Sequence, residues 1–303
     1  MLKRISVRVP ATTANLGCLF DCAALALSLY LDLHVSPRTD DSITVQYKGV
    51  NPERIPTDEN NLIARTIRET MRGCGKHRGF DLEIENQIPV GVGLGSSAAA
   101  IIGALAACHW LADKVLFDEE IVSLATQMEG HPDNVAAAWH GGFTVSAQSN
   151  DKVISYSCSI PEQLHFVLVI PDYPLSTEKA RLALPSSYSR ADAIHNLQRG
   201  AMLVAKLFSG KADLQRVLFD DRWHQPYRAP LIPGLQEILN MSLPGLLGVC
   251  LSGAGPSILA ITKGNTSVIG EAIQQVLINH GVTSEVRLLA PDNKGAKGWC
   301  VPA

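Results

Sequence analysis

The uncharged stretch from Pro89 to Ala100, PVGVGLGSSAAA, places Gly91, Gly93 and Gly95 at alternate positions, then two serines, then alanines. The alanines favour a helix, and the glycines before it permit positive φ and close approach of the backbone to another group. A helix N-terminus leaves its first N–H groups without intrahelical acceptors and carries about half a positive charge. Such a stretch can cradle a phosphate with main-chain amides, while Ser96 and Ser97 add hydroxyl donors or an oxygen ligand for a hard cation. It is not a Walker A loop, because no Gly-Lys-Ser/Thr follows, and its even glycine spacing is not the dinucleotide fingerprint. The spacing alone equally describes a buried turn that feeds a core helix, and both readings stand at this level.

The loop must be held by the elements around it. Ile5, Val7 and Val9 alternate with polar residues and predict a half-buried strand; Leu25, Leu27, Leu29, Leu31, Leu33 and Val35 continue the period of two as a long second one. Ile43, Val45 and Tyr47, then Phe80, Leu82 and Ile84, predict two more. Between them Leu62, Ile63, Thr66, Ile67, Thr70 and Met71 form one helical stripe that Gly73 or Gly75 would stop. Ser96 to Leu111 predicts a helix packed on several sides. FDEEIVSLATQMEG predicts the next, with Asp118 as N-cap, Glu119 and Glu120 at the positive end of its dipole, and Gly130 at its close. GGFTVSAQ and KVISYSC read as a hairpin, and HFVLVIP as a buried strand opening the second half. There, ADAIHNLQRGAMLVAKLFSG, ADLQRVLFDD and GLQEILNMS read as helices, LLGVCLS and SILAIT as strands joined by GAGP. A helix from Ser267 to Asn279 and a last strand, EVRLLA, close the chain. Helices and strands mix without strict βαβ alternation, so the class is α+β. The boundary is set within residues 155 to 163, dividing the chain into 1–158 and 159–303.

The composition narrows the function classes. The chain has 303 residues, 46% hydrophobic and 18% charged, enough for one large domain or two of ordinary size with a substantial core. A net charge of −3 with scattered Lys and Arg argues against nucleic acid or an anionic membrane as the main partner. Seven cysteines without a C-x-x-C suit a reduced, cytoplasmic chain. The basic N-terminus lacks an apolar h-region and is not read as a signal peptide. Val92 to Ala112 is uncharged and long enough to cross a bilayer, but its Gly, Ser and Ala content and His109 favour a buried helix of a soluble protein.

The longer string Pro-x-Gly-x-Gly-Leu-Gly-Ser-Ser-Ala-Ala resembles the phosphate loop of the GHMP kinases, named for galactokinase, homoserine kinase, mevalonate kinase and phosphomevalonate kinase. Two further elements of that superfamily occur in order, VRVPATTANLG near the start and LSGAGPS (Leu251 to Ser257) near the end. The early segment lacks the Lys and the Gly-Glu-His of the mevalonate and galactose kinases. It is similar instead to the homoserine kinase pattern Val-Pro-Ala-x-x-Ala-Asn-Leu-Gly-x-x-Phe-Asp, as are EGHPDNVAAAWHGG and LSTEKAR to that family's later segments. The departures are Cys18 and Leu19, where a Gly-Pro or Pro-Gly pair is usual, and Ala137, where Pro is common.

The resemblance implies a two-domain GHMP architecture, with an N-terminal half like the second domain of ribosomal protein S5 and a ferredoxin-like C-terminal half. It implies ATP-dependent phosphorylation of the side-chain hydroxyl of L-homoserine, a step of threonine biosynthesis. ATP is then the co-substrate, and Pro89, Val90, Gly91, Val92, Gly93, Leu94, Gly95, Ser96, Ser97, Ala98 and Ala99 hold its phosphates. Asn61 and Leu62 would belong to the adenine pocket, although Asn61 serves equally as a helix N-cap. Four phosphate charges exceed what a helix dipole offsets, about 0.3–2 kcal/mol, so Mg²⁺ is expected on Ser97 and Glu129. Arg181 and Arg228 match the positions that hold the substrate carboxylate, Asp21 and Asp133 those that hold its ammonium, with Asn15 nearby and His131 beside the substrate. Each has a plain alternative: surface arginines, turn residues at Asn15 and Asp21, a solvated Glu129, a packed His131. The early Lys that assists an Asp base in mevalonate-type relatives is absent. The reading is therefore catalysis without a strong base, with Asn15, Asp133, Asn134 and Arg181 around the reacting groups. A homodimer is an expectation carried by the resemblance alone. The competing readings are a GHMP kinase for a sugar or isoprenoid alcohol, and a non-catalytic nucleotide-binding homologue.

Overall fold

The computed structural model describes residues 4–75, 79–111 and 118–301; the side chains of Asp118 and Glu119 lie outside the described set, and with them the expected N-cap. The strands β1 (Arg4–Ala14) and β2 (Ala23–Pro37) pair antiparallel, with one bulge between Pro10 and Ala11. The period-two leucines of β2 are all buried, as is Val35, because alternate side chains of a strand share one face. The strand β3 (Ile43–Gly49) crosses over through α1 (Leu62–Gly73) and lies parallel to β4 (Phe80–Asn86), which pairs with β2. The helices α2 (Ser96–Leu111), α3 (Asp118–Glu129) and α4 (Asp133–His140) precede the hairpin β5 (Phe143–Ser149) and β6 (Lys152–Cys158). The sheet runs in the order β11-β1-β2-β4-β3, with β5 on β2 and β6 on β5; β11 (Lys297–Val301) is the chain's last strand.

The second sheet, in the order β10-β7-β9-β8, is wholly antiparallel. It is built from β7 (His165–Pro171), β8 (Leu246–Leu251), β9 (Ile258–Thr262) and β10 (Ser284–Leu289). Between β7 and β8 lie α5 (Thr177–Leu182), α6 (Arg190–Phe208) and the short α7 (Gln225–Arg228) and α8 (Leu235–Leu239), and α9 (Thr266–Asn279) joins β9 to β10. The first sheet's hairpin ends at Cys158, and the chain's last strand returns to β1 after the second sheet.

Two local expectations change. ADLQRVLFDD is not an α-helix but one 3-10 turn, Arg216–Phe219, since Phe219 packs against Gly248 and the acids beyond it turn the chain. EVRLLA is β10 but not the last strand, because β11 follows and pairs with β1 from Arg4 to Arg8. The segment after His131 is helical as α4, and Ala137 sits buried inside it. The other departures from the family pattern are also absorbed by packing: Cys18 Sγ donates to Leu218 O, and Leu19 lies against Gly200. All seven cysteines are free. Among the described residues no helix is long and apolar enough to cross a membrane.

The uncharged α2 is the central strut. It starts at the glycine loop and is buried through Ala98, Ile101, Ile102 and Leu105. Its Gly103 lets it approach β1 and β2 closely: a Cβ there would stand 2.6 Å from Leu33 Cδ1 and 3.4 Å from Val9 Cγ2. Gly103→Val should therefore lower stability by about 1–3 kcal/mol through overpacking, despite the poor helix propensity of glycine. Denaturant unfolding reads this; unchanged stability would show that α2 can ride off the sheet without cost.

Candidate active site

A cavity of about 420 Å³ lies where the β1–β2 turn, the glycine loop, the α3–α4 junction, α5, α7 and the turn after β8 converge. The glycine loop is fixed through its carbonyls. Val92 O accepts from Ser257 N, Gly93 O from Ser252 Oγ at 2.7 Å, and Leu94 O from Thr12 N. The space around its glycines is already filled. A Cβ on Gly93, at φ +84°, would lie 2.1 Å from Ser252 O, and one on Gly95, at φ +64°, would lie 2.0 Å from Thr12 Oγ1. These are positive-φ positions with no room for a side chain, so glycine is required at both. Gly95 precedes α2 directly, and Ala99 N donates back to Gly95 O, so the open amides of the helix start here.

Opposite the loop stand the acids. Ser97 Oγ donates to Glu129 Oε1 at 2.5 Å, joining the start of α2 to the end of α3. Burial pushes the Glu129 carboxyl above the ordinary glutamate value, against the bond from Ser97. Asp133, 1% exposed, opens α4, and three donors converge on its Oδ1: His131 Nδ1 at 2.8 Å, Asn134 N at 2.6 Å and Asn134 Nδ2 at 3.3 Å. Burial works against a charged His131 ring, but the hydrogen bond and charge of Asp133, then Glu129, outweigh it and raise its pKa. Asn134 Oδ1 accepts from Thr12 Oγ1, tying α4 to β1 beneath Gly95.

The far end is cationic. Ser176 caps α5, accepting from Lys179 N, and so orients Arg181. Arg181 forms a two-pronged ion pair with Asp21, at 2.8 and 3.0 Å. Asp21 is held in turn: its N–H donates to Asn15 Oδ1, and Asn15 Nδ2 donates to Gly253 O. Arg228 lines the cavity although it is 1% exposed, bonded to Ala180 O, Gly253 O and His224 Nδ1. Burial, with Arg181 second, brings its pKa down to about 10.

The cavity thus gathers Asn15, Asp21, Glu129, His131, Asp133, Asn134, Arg181 and Arg228 with Val90, Gly91, Gly93, Leu94, Gly95, Ser96 and Ser97. Pro89, Val92, Ala98 and Ala99 flank that lining without forming part of it. Asn61 and Leu62 are not part of that lining. Asn61 Oδ1 caps α1, accepting from Ile63 N and Ala64 N, while its Nδ2 donates to Pro56 O. Ala14, Thr177, Gly253 and Ala254 also line the cavity, and the sequence reading had singled out none of them. Each sits inside or beside a quoted motif, so adjacency to LSTEKAR, ANLG and GAGP was the available signal.

Family profiles match this chain twice, as GHMP kinases N terminal domain over residues 61–142 and as GHMP kinases C terminal over 201–279. The chain is 41% identical over 295 residues to the homoserine kinase of Desulfitobacterium hafniense, spanning 96% of this chain and 99% of that one. It is 40% identical over 296 residues to that of Aquifex aeolicus, spanning 97% and 99%. Among solved structures, homoserine kinase from Cytophaga hutchinsonii superposes with a TM-score of 0.85 at 26% identity, over 98% of this chain and 97% of that one. A mevalonate kinase structure, with a TM-score of 0.61 at 16% identity and 95% and 99% coverage, shares the fold.

The raised Glu129 carboxyl makes stability depend on pH. Between the ordinary glutamate value and the raised one, the folded protein keeps a proton that the unfolded chain releases. The stability tied to this group is therefore fully present at low pH and is lost as pH rises through the raised value. Glu129→Gln removes that loss. Its melting temperature relative to the parent should climb from about pH 4 to about pH 8 in ligand-free thermal denaturation. A flat or shrinking difference would show that Glu129 is not held in a desolvated place.

Proposed function

The chain belongs to the homoserine kinase family of the GHMP kinases, and on that footing we propose that it transfers the γ-phosphoryl group of ATP to the side-chain hydroxyl of L-homoserine. The observation that carries this reading is one cavity with two unlike ends. Main-chain amides and the Ser97–Glu129 pair stand at one, the Asp21–Arg181 pair and Arg228 at the other. The second end matches a zwitterion: the guanidinium takes its carboxylate and the carboxylate takes its ammonium. An uncharged sugar would leave both unmatched. The product, O-phospho-L-homoserine, places the enzyme in threonine biosynthesis, and we assign it to the cytoplasm.

Ser97 Oγ and Glu129 Oε1 fit a hard cation that takes few protein oxygens, and among the described residues no cluster of three or more His, Cys, Asp or Glu offers another metal site. We assign Mg²⁺ to this pair; when bound it neutralises phosphate oxygens. Positioning and charge stabilisation carry most of a phosphoryl transfer, because the transition state is loose. In our reading the loop amides and Arg181 face the charge on the transferring group, and Asn134 orients the attacking hydroxyl. Asp133 holds the ammonium, since its Oδ1 is already taken by three donors and Oδ2 takes none of them. The hydroxyl proton then leaves late, toward the phosphate.

An ADP-release assay over homoserine, mevalonate and galactose should show turnover of homoserine alone; turnover of either other alcohol without it would reject the reading. Arg181→Ala should raise KM for homoserine about 10- to 100-fold with KM for ATP little changed, as expected for a lost charge-assisted pair. Asp133→Asn should act mainly on KM for homoserine. A pure loss of kcat, with parent activity that rises along a carboxylate titration, would instead make Asp133 the base.

A further inference from the structure

His224 stands behind the cavity wall, fully buried, and does not line the cavity. Its two ring nitrogens connect the two ends of the amino-acid site. Arg228 Nη1 lies 3.1 Å from Nδ1, and the carbonyl of Gly17 lies 2.8 Å from Nε2. A guanidinium can only donate and a carbonyl can only accept. The proton therefore sits on Nε2, and Nδ1 offers its lone pair to Arg228. Gly17 belongs to the turn that carries Asn15 and Asp21, so the ring links Arg228 to the turn that presents Asp21. Phe20, from the same turn, stacks on the His224 ring at 5.3 Å and lies beneath both guanidiniums, 5.3 Å from Arg228 and 5.7 Å from Arg181. Asp221 fixes the backbone from which His224 projects, accepting from the N–H groups of Trp223, His224 and Gln225. Burial keeps the ring neutral, drawing its pKa below the ordinary histidine value against the opposing pull of Asp221.

We propose that His224 is a positioning residue for amino-acid recognition: its neutral ring, held in one tautomer by the carbonyl of Gly17, presents at Nδ1 the acceptor that aims the carboxylate-binding Arg228. The inference rests on the homoserine reading above. It differs from a packing role, because a packed ring would not need an acceptor at one defined nitrogen. Asparagine can place its Oδ1 where Nδ1 accepts, glutamine reaches instead toward the Nε2 side, and leucine does neither.

Steady-state kinetics with homoserine and ATP test this. His224→Leu should raise KM for homoserine about tenfold or more, the order expected for an unmet bond to a charged donor, with KM for ATP within about twofold and kcat within about threefold. His224→Asn should recover most of the homoserine KM, and His224→Gln should not. In an Arg228→Ala background, His224→Leu should add less than about threefold, because its effect runs through Arg228. The inference falls if His224→Leu leaves the homoserine KM unchanged, if the loss is equally large without Arg228, or if KM for ATP rises in parallel. If the leucine variant does not fold, the Asn and Gln pair decides, and equal KM values for those two would overturn it. A parent that turns over no homoserine overturns the proposed function as well. An active parent with unaltered His224 variants overturns this inference alone.

Discussion

The structure depends on a clamp on three successive carbonyls. Val92, Gly93 and Leu94 each give their oxygen to a neighbour, and those neighbours come from opposite ends of the chain, Thr12 in β1 and Ser252 and Ser257 around the turn after β8. A flexible glycine loop has no single shape in isolation, since each glycine carries a large conformational entropy. Bonding it through its oxygens fixes the loop, and the Val90 N–H at its entry is tied to Asn51 Oδ1. The amides at the start of α2 then meet the cavity from a rigid support, which is what a main-chain anion site needs. The same bonds draw the two sheets together, because the turn at Gly253 also donates to Ala14 O. The three family motifs are thus one object: each holds another in place.

The amino-acid end follows the same logic with charges. Asp21 and Arg181 are paired with each other, and an amino acid can replace that pair by offering one group to each partner. A ligand that lacks either group would leave one charge of the pair unmatched, and unmatched charge in a half-buried place is costly. On the proposed reading, selectivity for a zwitterion lies in the pair as a unit. Arg228 lies deeper and is held by two carbonyls and a neutral imidazole, none of which cancels its charge. It remains a cation looking for an anion, and Phe20 shields it together with Arg181 from one side.

Much of this was legible in residue order. The period of two in β2 and the helix after the glycines both occur as expected. What escaped was set by contacts between distant residues. The strand β11, KGWCV, alternates Lys with Gly, Trp with Cys and shows no long apolar run, yet β1 has an open edge that it completes. The helix α4 begins with Pro132, Asp133 and Asn134, residues that ordinarily signal a turn. Asp221, His224, Gln225 and Arg228 are polar or charged, yet all are buried because they satisfy one another and the Gly17 turn. Asn61 takes the helix-cap role that its sequence position equally allows: its Oδ1 starts α1 and its Nδ2 donates to Pro56 O.

The balance of charge around the cavity bears on how a nucleotide can enter it. Its lining sets the carboxylates of Asp21, Glu129 and Asp133 against Arg181, Arg228 and His131. Asp21 and Arg181 neutralise each other, His131 leans on Asp133, and Arg228 lies on the amino-acid side. That leaves Glu129, beside the loop, with no cation of its own. A triphosphate of about four negative charges arriving there meets amide dipoles, a carboxylate and the guanidiniums of Arg54, bonded to Val90 O, and Arg181, while a helix terminus offsets no more than about 2 kcal/mol. The Mg²⁺ proposed for the Ser97–Glu129 pair would offset the repulsion between Glu129 and the nucleotide. The upward shift of Glu129 follows from its burial, which disfavours the ionised form more than Ser97, His131 and Arg181 favour it. A carboxylate placed against Ser97, half-buried and poorly matched by its own protein, is what a hard cation bound mainly by phosphate oxygens requires to complete its shell.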